Sequence, residues 1–179
     1  GRNCSAGISR RLSDCLHQNT QRSIRQIFCM TLISHRGNIM GKKPQLENQT
    51  DYIQAAIDAG FQVEIDIWVQ DNLLYLGHDG PQYPVDIEWL QERTHKLWIH
   101  CKNIPALEYF DSSNFHYFWH QNDTVTITSK RYIWAFPGSQ PIANSIAVMP
   151  ELYDEYNLDG CWGICSDFVQ KYQSYLSQA

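Results

Sequence analysis

Hydrophobic and polar residues alternate with a period of two over residues 61–70, and this pattern predicts a β-strand. Successive side chains of a strand point to opposite faces, so Glu64 and Asp66 fall on one face and the apolar side chains fall on the other. Two neighbouring carboxylates repel each other, and a divalent cation that prefers oxygen ligands would relieve that repulsion. An exposed acidic strand face is the alternative interpretation.

Asp71 and Asn72 follow this strand and predict a tight turn. The next apolar residues predict a second strand, which leads to His78 and Asp79. The pair of strands with its turn is the clearest local signal in the chain, because period, turn residues and length agree.

The rest of the chain alternates short apolar strands with helices or loops, about 20–30 residues apart, which is typical of parallel sheets. Asn48 or Thr50 is expected to cap the first helix. The pattern predicts an α/β protein: a compact (β/α)8-type TIM barrel with short or missing helices, or an open doubly wound sheet. The other predicted strands cover residues 31–34, 96–102, 115–120, 124–135, 145–149 and 163–168, and the predicted helices cover residues 50–59, 87–93, 105–110, 150–157 and 169–176.

Composition divides the chain into two parts. Residues 1–29 carry five arginines and one aspartate, so the net charge of −5 hides an acidic body of residues 30–179. An acidic body argues against a nucleic-acid partner, and no apolar run approaches the ~20 residues of a membrane span. The six cysteines lack CxxC spacing, and we interpret them as reduced thiols of a cytoplasmic protein.

The first 29 residues have weak periodicity, and we expect a poorly structured leader or extension ahead of a domain over residues 30–179. Their arginine- and serine-rich composition resembles an organellar transit peptide. The interpretation we favour is a natural start at Met30, with a tag, a fusion scar or translated upstream sequence before it.

Polar residues with chemical potential stand at the ends of the predicted strands. Parallel strands that close into a barrel end at one rim, so these residues are expected to meet there. Cationic side chains can bind a phosphate, carboxylates can hold a metal, and two histidines can act as general acid and base. The mixture suits phosphodiester chemistry, with Trp134 as a pocket wall; its members are His35, Arg36, Glu64, Asp66, His78, Asp79, His100, Lys102, Ser166 and Asp167. Four further histidines are interpreted as ordinary surface or core residues: His17, His95, His116 and His120.

Four short motifs occur in a particular order: His35-Arg36-Gly37, Glu47-Asn48, Glu64-x-Asp66 and His78-Asp79. This series resembles the glycerophosphodiester phosphodiesterases, which belong to the phosphatidylinositol phospholipase C-like phosphodiesterases. The resemblance is carried by residues 32–80 and is weaker beyond them. It implies a barrel fold and a metal-dependent hydrolysis of a small phosphodiester.

The resemblance also implies a role for each matching residue. His35 and His78 would be the general acid/base pair, and Arg36 and Lys102 would bind the phosphate. Glu64 and Asp66 would ligate Mg²⁺ or Ca²⁺. The supporting residues would be Glu47, Asp79, Trp134 and Asp167.

His100 stands where the family has a glutamate, and a third ligand of this kind would suit a softer ion such as Mn²⁺ or Zn²⁺. The family's insertion after His78-Asp79 is almost absent, which predicts an open and shallow site. Two alternatives stay open beside the hydrolase. One is a phospholipase D- or lyase-like enzyme on lysolipids, which an exposed apolar patch near the rim would favour, and the other is a non-catalytic phosphate-binding module.

Overall fold

The computed structural model describes residues 30–136, 138–153 and 157–176. The predicted leader over residues 1–29 therefore lies outside the described residues. Within them the chain forms ten strands, four α-helices and one 3-10 helix, Pro150–Leu152. The strands are β1 Thr31–His35, β2 Gln62–Gln70, β3 Leu73–Leu76, β4 Tyr83–Pro84, β5 Leu97–Cys101, β6 Tyr117–Phe118, β7 Val125–Ile127, β8 Ile133–Ala135, β9 Ser145–Val148 and β10 Gly163–Ser166, and the helices are α1 Thr50–Asp58, α2 Ile87–Glu92, α3 Ile104–Phe110 and α4 Val169–Leu176.

All ten strands belong to one curled, mixed sheet. The order is β4-β3-β2-β1-β10-β9-β8-β7, and β5 pairs with the other edge of β2 and with β6. Strands β1, β2, β5, β6, β8, β9 and β10 pair in parallel, whereas β3, β4 and β7 join by antiparallel hairpins. The sheet curls into a half-barrel and carries its polar residues on the inner face.

The predicted (β/α)8-type TIM barrel is wrong. That fold needs a helix after each of eight parallel strands, and the described residues contain only four short helices and three antiparallel strands. The adjacent parallel strands β8 and β9 are joined by a loop in the described part of their connection, so the alternating spacing overstated the helical content.

Several predicted elements are confirmed within a few residues, and others are corrected. Asp71 and Asn72 form the turn between β2 and β3, both with positive φ. The predicted cap of α1 is wrong, because Gln49 occupies the N-cap position and makes no side-chain cap hydrogen bond. The predicted helix over residues 150–157 is a 3-10 turn in its described part, and the predicted strand over residues 115–120 is paired only at Tyr117–Phe118.

The two faces of β2 separate the core from the site. Val63, Ile65 and Ile67 are fully buried and pack with side chains of α1, α2 and α3. The opposite face turns into the curl, where β2 and β5 place Glu64 beside Trp98 and Asp66 beside His100. Aromatic and aliphatic side chains fill the curl below these polar residues: Ile33, Trp98, Phe118, Trp134, Ile146, Val148 and Cys165. None of the described helices has the length and apolarity needed to cross a bilayer.

Candidate functional site

A cavity of about 650 Å³ opens at the carboxyl ends of the parallel strands. This volume falls within the usual range for small-molecule sites. One side of the cavity is charged and the other is aromatic. The lining residues are His35, Arg36, Glu64, His78, His100, Cys101, Lys102, Trp119, His120, Gln121, Asn122, Trp134, Phe136 and Val148.

Asp66 lies under the charged side and is completely buried. Its Oδ2 accepts a hydrogen bond from Asn48 Nδ2 at 2.9 Å and lies 2.9 Å from Arg36 Nε and 3.3 Å from His78 Nδ1. Burial alone would raise the pKa of Asp66, but its contacts with the imidazoles of His100 and His78 and the charge of Arg36 hold that pKa well below its usual value. Asp66 is therefore ionised, and its Oδ1 remains turned toward His100.

The Glu64 carboxylate has fewer close polar partners than that of Asp66 among the described residues. It is 2% exposed, and its Oε2 has no hydrogen-bond partner among the described residues. Its two oxygens lie 3.9 Å from His35 Nε2 and 3.8 Å from His100 Nδ1. Burial and the neighbouring charge of Asp66 raise the pKa of Glu64. A buried carboxylate without a partner is costly, so this position is suited to a cation that the side chains do not themselves supply.

His100 completes a set of three potential metal ligands with Glu64 and Asp66, whose ligand atoms all lie within 4.8 Å of one another. His100 Nδ1 is 3.1 Å from Asp66 Oδ1, and Nε2 is 3.1 Å from the backbone oxygen of His120. A carbonyl oxygen can only accept, so Nε2 carries a hydrogen and Nδ1 is left facing the carboxylates. Outer hydrogen bonds of this kind orient the histidine ligands of metal sites. With Asp66 Oδ1 and Glu64 Oε2 both lacking an aligned donor among the described side chains, the residues fit a divalent cation.

His35 ends β1 and is oriented by Asp167. Its Nδ1 lies 2.8 Å from Asp167 Oδ1, and because an ionised carboxylate only accepts, Nδ1 is the donor and Nε2 faces the cavity. Burial lowers the pKa of His35, but the hydrogen bond to Asp167 and the charge of Glu64 outweigh it, and the net pKa is raised. The bond from His35 in turn lowers the pKa of Asp167, against the opposing effect of burial. This pair resembles the oriented histidines that serve as general bases.

Arg36 is held in an unusual backbone conformation beside His35. Its φ is +54°, and Gly37 follows with φ +91°. A Cβ at Gly37 would lie 2.7 Å from Tyr52 Cδ1, so only glycine fits this turn. Arg36 Nη1 donates to Glu47 Oε2 at 3.1 Å, which aims the guanidinium at the charged side of the cavity. Glu47 therefore contacts Arg36 directly, and its supporting role stays a prediction.

His78 and Lys102 line the cavity, and both lie close to the Asp66 carboxylate. Lys102 Nζ lies 3.4 Å from His78 Nδ1 and 3.4 Å from Asp66 Oδ1. His78 Nε2 lies 3.4 Å from Arg36 Nη2, and the His78 side chain is 40% exposed. His78, Arg36 and Lys102 therefore surround one place where an anion can bind.

The three remaining predicted residues lie at different depths. Ser166 is fully buried, and its Oγ donates to Glu151 Oε1 at 2.7 Å. Trp134 is buried, contacts Phe118 and forms part of the cavity wall, as the sequence predicted. Asp79 is not among the residues that line the cavity. Its side chain is 90% exposed, and its Oδ1 lies 3.7 Å from His78 Nε2. Seven predicted residues thus line the cavity, and Asp66 lies buried beside them; the seven are His35, Arg36, Glu64, His78, His100, Lys102 and Trp134.

Other residues of the site carried little signal in the sequence. His120 was interpreted as an ordinary histidine, yet its ring stacks on His100 with centroids 4.4 Å apart. Burial and the charges of His100 and Lys102 lower the pKa of His120 to about 4. Asn38 is buried next to Asp167, and its position directly after Gly37 was the only clue available. Six more lining residues were not predicted: Cys101, Trp119, Gln121, Asn122, Phe136 and Val148.

The chain matches no protein-family model, and a search of curated proteins finds no matching sequence. The function therefore has to be inferred from the geometry of the cavity together with the ordered motifs.

Proposed function

We propose that this protein is a metal-dependent phosphodiesterase that acts on a small phosphodiester bound in the cavity. The observation that carries the proposal is the buried Glu64 oxygen without a hydrogen-bond partner among the described residues, set between His35 and His100. A cation at that point and the Arg36 and Lys102 side chains would face the same anion. The ordered motif series, which resembles the glycerophosphodiester phosphodiesterases, supports the same conclusion independently.

In the proposed reaction, His35 Nε2 removes the proton of the attacking hydroxyl while the oxygen of that hydroxyl forms a bond to phosphorus. His78 gives a proton to the departing oxygen as the second P–O bond breaks, so one proton is taken and one is returned. A neighbouring hydroxyl of the substrate as nucleophile would give a cyclic phosphate, and water would give a phosphomonoester. Asp167 keeps His35 in the tautomer with a free Nε2.

Charge on the non-bridging oxygens is balanced from two sides. Arg36, held by Glu47, and Lys102 would donate to the phosphoryl group. A divalent cation held by Glu64, Asp66 and His100 would supply further positive charge next to those oxygens. The candidate ions are the hard cations Mg²⁺ and Ca²⁺ and the softer cations Mn²⁺ and Zn²⁺.

The test is hydrolysis of bis(p-nitrophenyl) phosphate and of a panel of glycerophosphodiesters. We expect His35→Ala and His78→Ala each to lower turnover by about 10²–10⁴-fold, as for loss of a general acid or base. His95→Ala, which removes an exposed histidine away from the cavity, is the matched control and should keep the wild-type rate. Wild-type rates in both site variants would contradict the mechanism.

A second candidate is a phospholipase D- or lyase-like reaction on lysolipids, and one observation favours it. Large apolar side chains are exposed just beyond the carboxyl ends of the neighbouring parallel strands β1, β8, β9 and β10, at the end of the sheet where the cavity opens. An acyl chain could rest on such a surface. These side chains are Met40, Phe136, Leu152, Tyr153 and Phe168.

Only the lysolipid enzyme would need this apolar surface to bind its substrate. Phe136 both borders the cavity and is 40% exposed, so Phe136→Ser removes an apolar contact at the mouth. A lysolipid enzyme would lose activity on lysophosphatidylcholine and keep its activity on glycerophosphocholine. Equal losses on both substrates would argue against a role for the apolar surface.

A cytoplasmic location is part of the proposal. It is supported by the three described cysteines, Cys101, Cys161 and Cys165, which are buried free thiols.

A further inference from the structure

Asn38 is a fully buried amide that bridges two carboxylates. Its Nδ2 donates to Asp167 Oδ1 at 2.8 Å and to Glu47 Oε1 at 3.0 Å. Its Oδ1 accepts from Tyr52 Oη at 3.1 Å and from the backbone N–H of Lys43 at 3.1 Å. Every donor and acceptor of the side chain is used, which fixes both its position and its orientation.

The two carboxylates that Asn38 joins serve different parts of the site. Asp167 accepts from His35 Nδ1 and so directs Nε2 into the cavity. Glu47 accepts from Arg36 Nη1 at 3.1 Å and so directs the guanidinium. A continuous chain of hydrogen bonds therefore links His35 to Arg36 through Asp167, Asn38 and Glu47. His35 and Arg36 are adjacent in sequence, but the positive φ of Arg36 sets its backbone apart from that of the strand residue His35.

We propose that Asn38 is a positioning residue that holds the proton-transfer group and the phosphate-binding group in register with each other. The inference rests on the proposed function, because it assigns Asn38 a role in that reaction. The Asn38 amide can donate to both carboxylates at once because its nitrogen carries two N–H groups, and it does so without adding a charge. An aspartate there would present a third negative charge to Asp167 and Glu47, and a leucine would remove the hydrogen bond that each of these carboxylates accepts from Asn38.

The backbones of Asn38 and of its partner Asp167 are held by hydrogen bonds that do not involve the Asn38 side chain. Asp167 donates its backbone N–H to Glu151 Oε1 at 3.0 Å, and its carbonyl accepts from the backbone of Gly41 at 2.7 Å. The Asn38 backbone N–H donates to the carbonyl of His35 at 2.9 Å. Loss of the Asn38 amide should thus release the two carboxylates while the turns that carry them stay in place.

The test is steady-state kinetics of Asn38→Ala, with Asn114→Ala, an exposed amide near the amino end of β6, as the matched control. We expect activity to fall by about 10–100-fold, by analogy with the loss of an outer hydrogen-bond partner of a metal-ligating histidine. We expect kcat to fall through Asp167 and His35, and KM to rise several-fold through Glu47 and Arg36. Asn114→Ala should change neither constant.

Double-mutant cycles separate positioning from general loss of structure. In an Asp167→Ala background, Asn38→Ala should lower kcat by less than threefold, and in a Glu47→Ala background it should leave KM unchanged. Full and additive effects in both backgrounds would overturn the inference. Asn38→Asp is the second variant if Asn38→Ala does not fold, and it should show the same pattern in the same cycles.

A measurement without turnover keeps this inference separate from the proposed reaction. The proton on His35 Nδ1, shared with a carboxylate, should give a strongly downfield resonance in the NMR spectrum of the wild-type protein. That resonance should move or vanish in Asn38→Ala and stay in Asn114→Ala. If the wild-type protein hydrolyses no phosphodiester, the proposed function fails while this result still decides the positioning role, and an unchanged resonance in Asn38→Ala would overturn it.

Discussion

His100 gives the candidate metal site a nitrogen ligand, and this residue decides which ions suit it. Mg²⁺ and Ca²⁺ prefer oxygen ligands, whereas imidazole suits Mn²⁺, Zn²⁺ and other transition metals better. The side chain is held by its contact with the His120 backbone oxygen at 3.1 Å, so its Nδ1 faces Glu64 and Asp66 without further rearrangement. The site is therefore expected to rank transition metals above Mg²⁺.

Replacing this nitrogen tests the ranking. In His100→Glu the ligand set becomes three carboxylates, and we expect affinity for Mn²⁺ to fall and affinity for Mg²⁺ and Ca²⁺ to rise, each by about tenfold. Calorimetric titration with each ion measures the change, and Glu64→Gln, which loses a ligand, should bind none of them well. An unchanged order of affinities in His100→Glu would mean that His100 is not a ligand.

Single residues were predictable from the sequence where they carried charge at a strand end. His35, Glu64, Asp66 and His100 stood out because alternation along β1, β2 and β5 put them on one face. Asn38 did not, since a lone amide in a loop has no periodicity and its two carboxylate partners are 9 and 129 residues away. Contacts made across such distances depend on the curl of the sheet.

The β2–β3 hairpin is the element that carries both site carboxylates, and its turn is strained. Asp71 and Asn72 have φ values of +51° and +61°, the pattern of a type I′ turn, which favours glycine at the second position. We expect Asn72→Gly to raise the free energy of unfolding by about 0.5–1 kcal/mol, because glycine adopts positive φ without a steric cost.

Urea-induced unfolding measures this prediction. Asn114→Gly is the matched control: Asn114 is exposed and is not among the described residues with positive φ, so glycine there should lower stability. A loss of stability in Asn72→Gly equal to that of the control would show that the turn is not strained.

Elements were predicted well where the local pattern was sufficient and poorly where tertiary contacts decided. The β2–β3 hairpin and helices α1 to α4 follow from period and turn residues. The connections do not: β8 reaches its parallel neighbour β9 without an α-helix in the described part of the chain, and β4 is a two-residue addition beyond β3. Alternating spacing alone could not distinguish such loops from helices, and the expected barrel was wrong for that reason.

For the whole molecule, buried histidines predict sensitivity to acid. Burial, with the nearby charge of Lys130, lowers the pKa of His116 to about 3. His116 is 6% exposed, packs on Trp98 and contacts Thr128 Oγ1 at 2.7 Å. The unfolded chain takes up the proton near pH 6.5 and the folded chain only near pH 3. The unfolded state thus binds more protons in between, and stability falls as the pH drops through this window.

We expect the free energy of unfolding to fall by up to about 2 kcal/mol between pH 6.5 and pH 5 for this one group. His116→Gln should be less stable than the wild type at pH 7 but should lose less stability on acidification. His95→Gln, at the surface, serves as the control and should follow the wild-type curve. Identical pH dependence in His116→Gln and the wild type would contradict this role of His116.

The measurement that tests the central claim most directly is turnover of bis(p-nitrophenyl) phosphate by the wild-type protein in EDTA and then with Mg²⁺, Ca²⁺, Mn²⁺ or Zn²⁺. We predict no turnover with the chelator, recovery with a divalent ion and the highest rate with Mn²⁺, whereas Glu64→Gln should not recover. Absence of turnover with every ion, by a protein shown to be folded, would contradict the account and would favour a module that binds phosphate without catalysis.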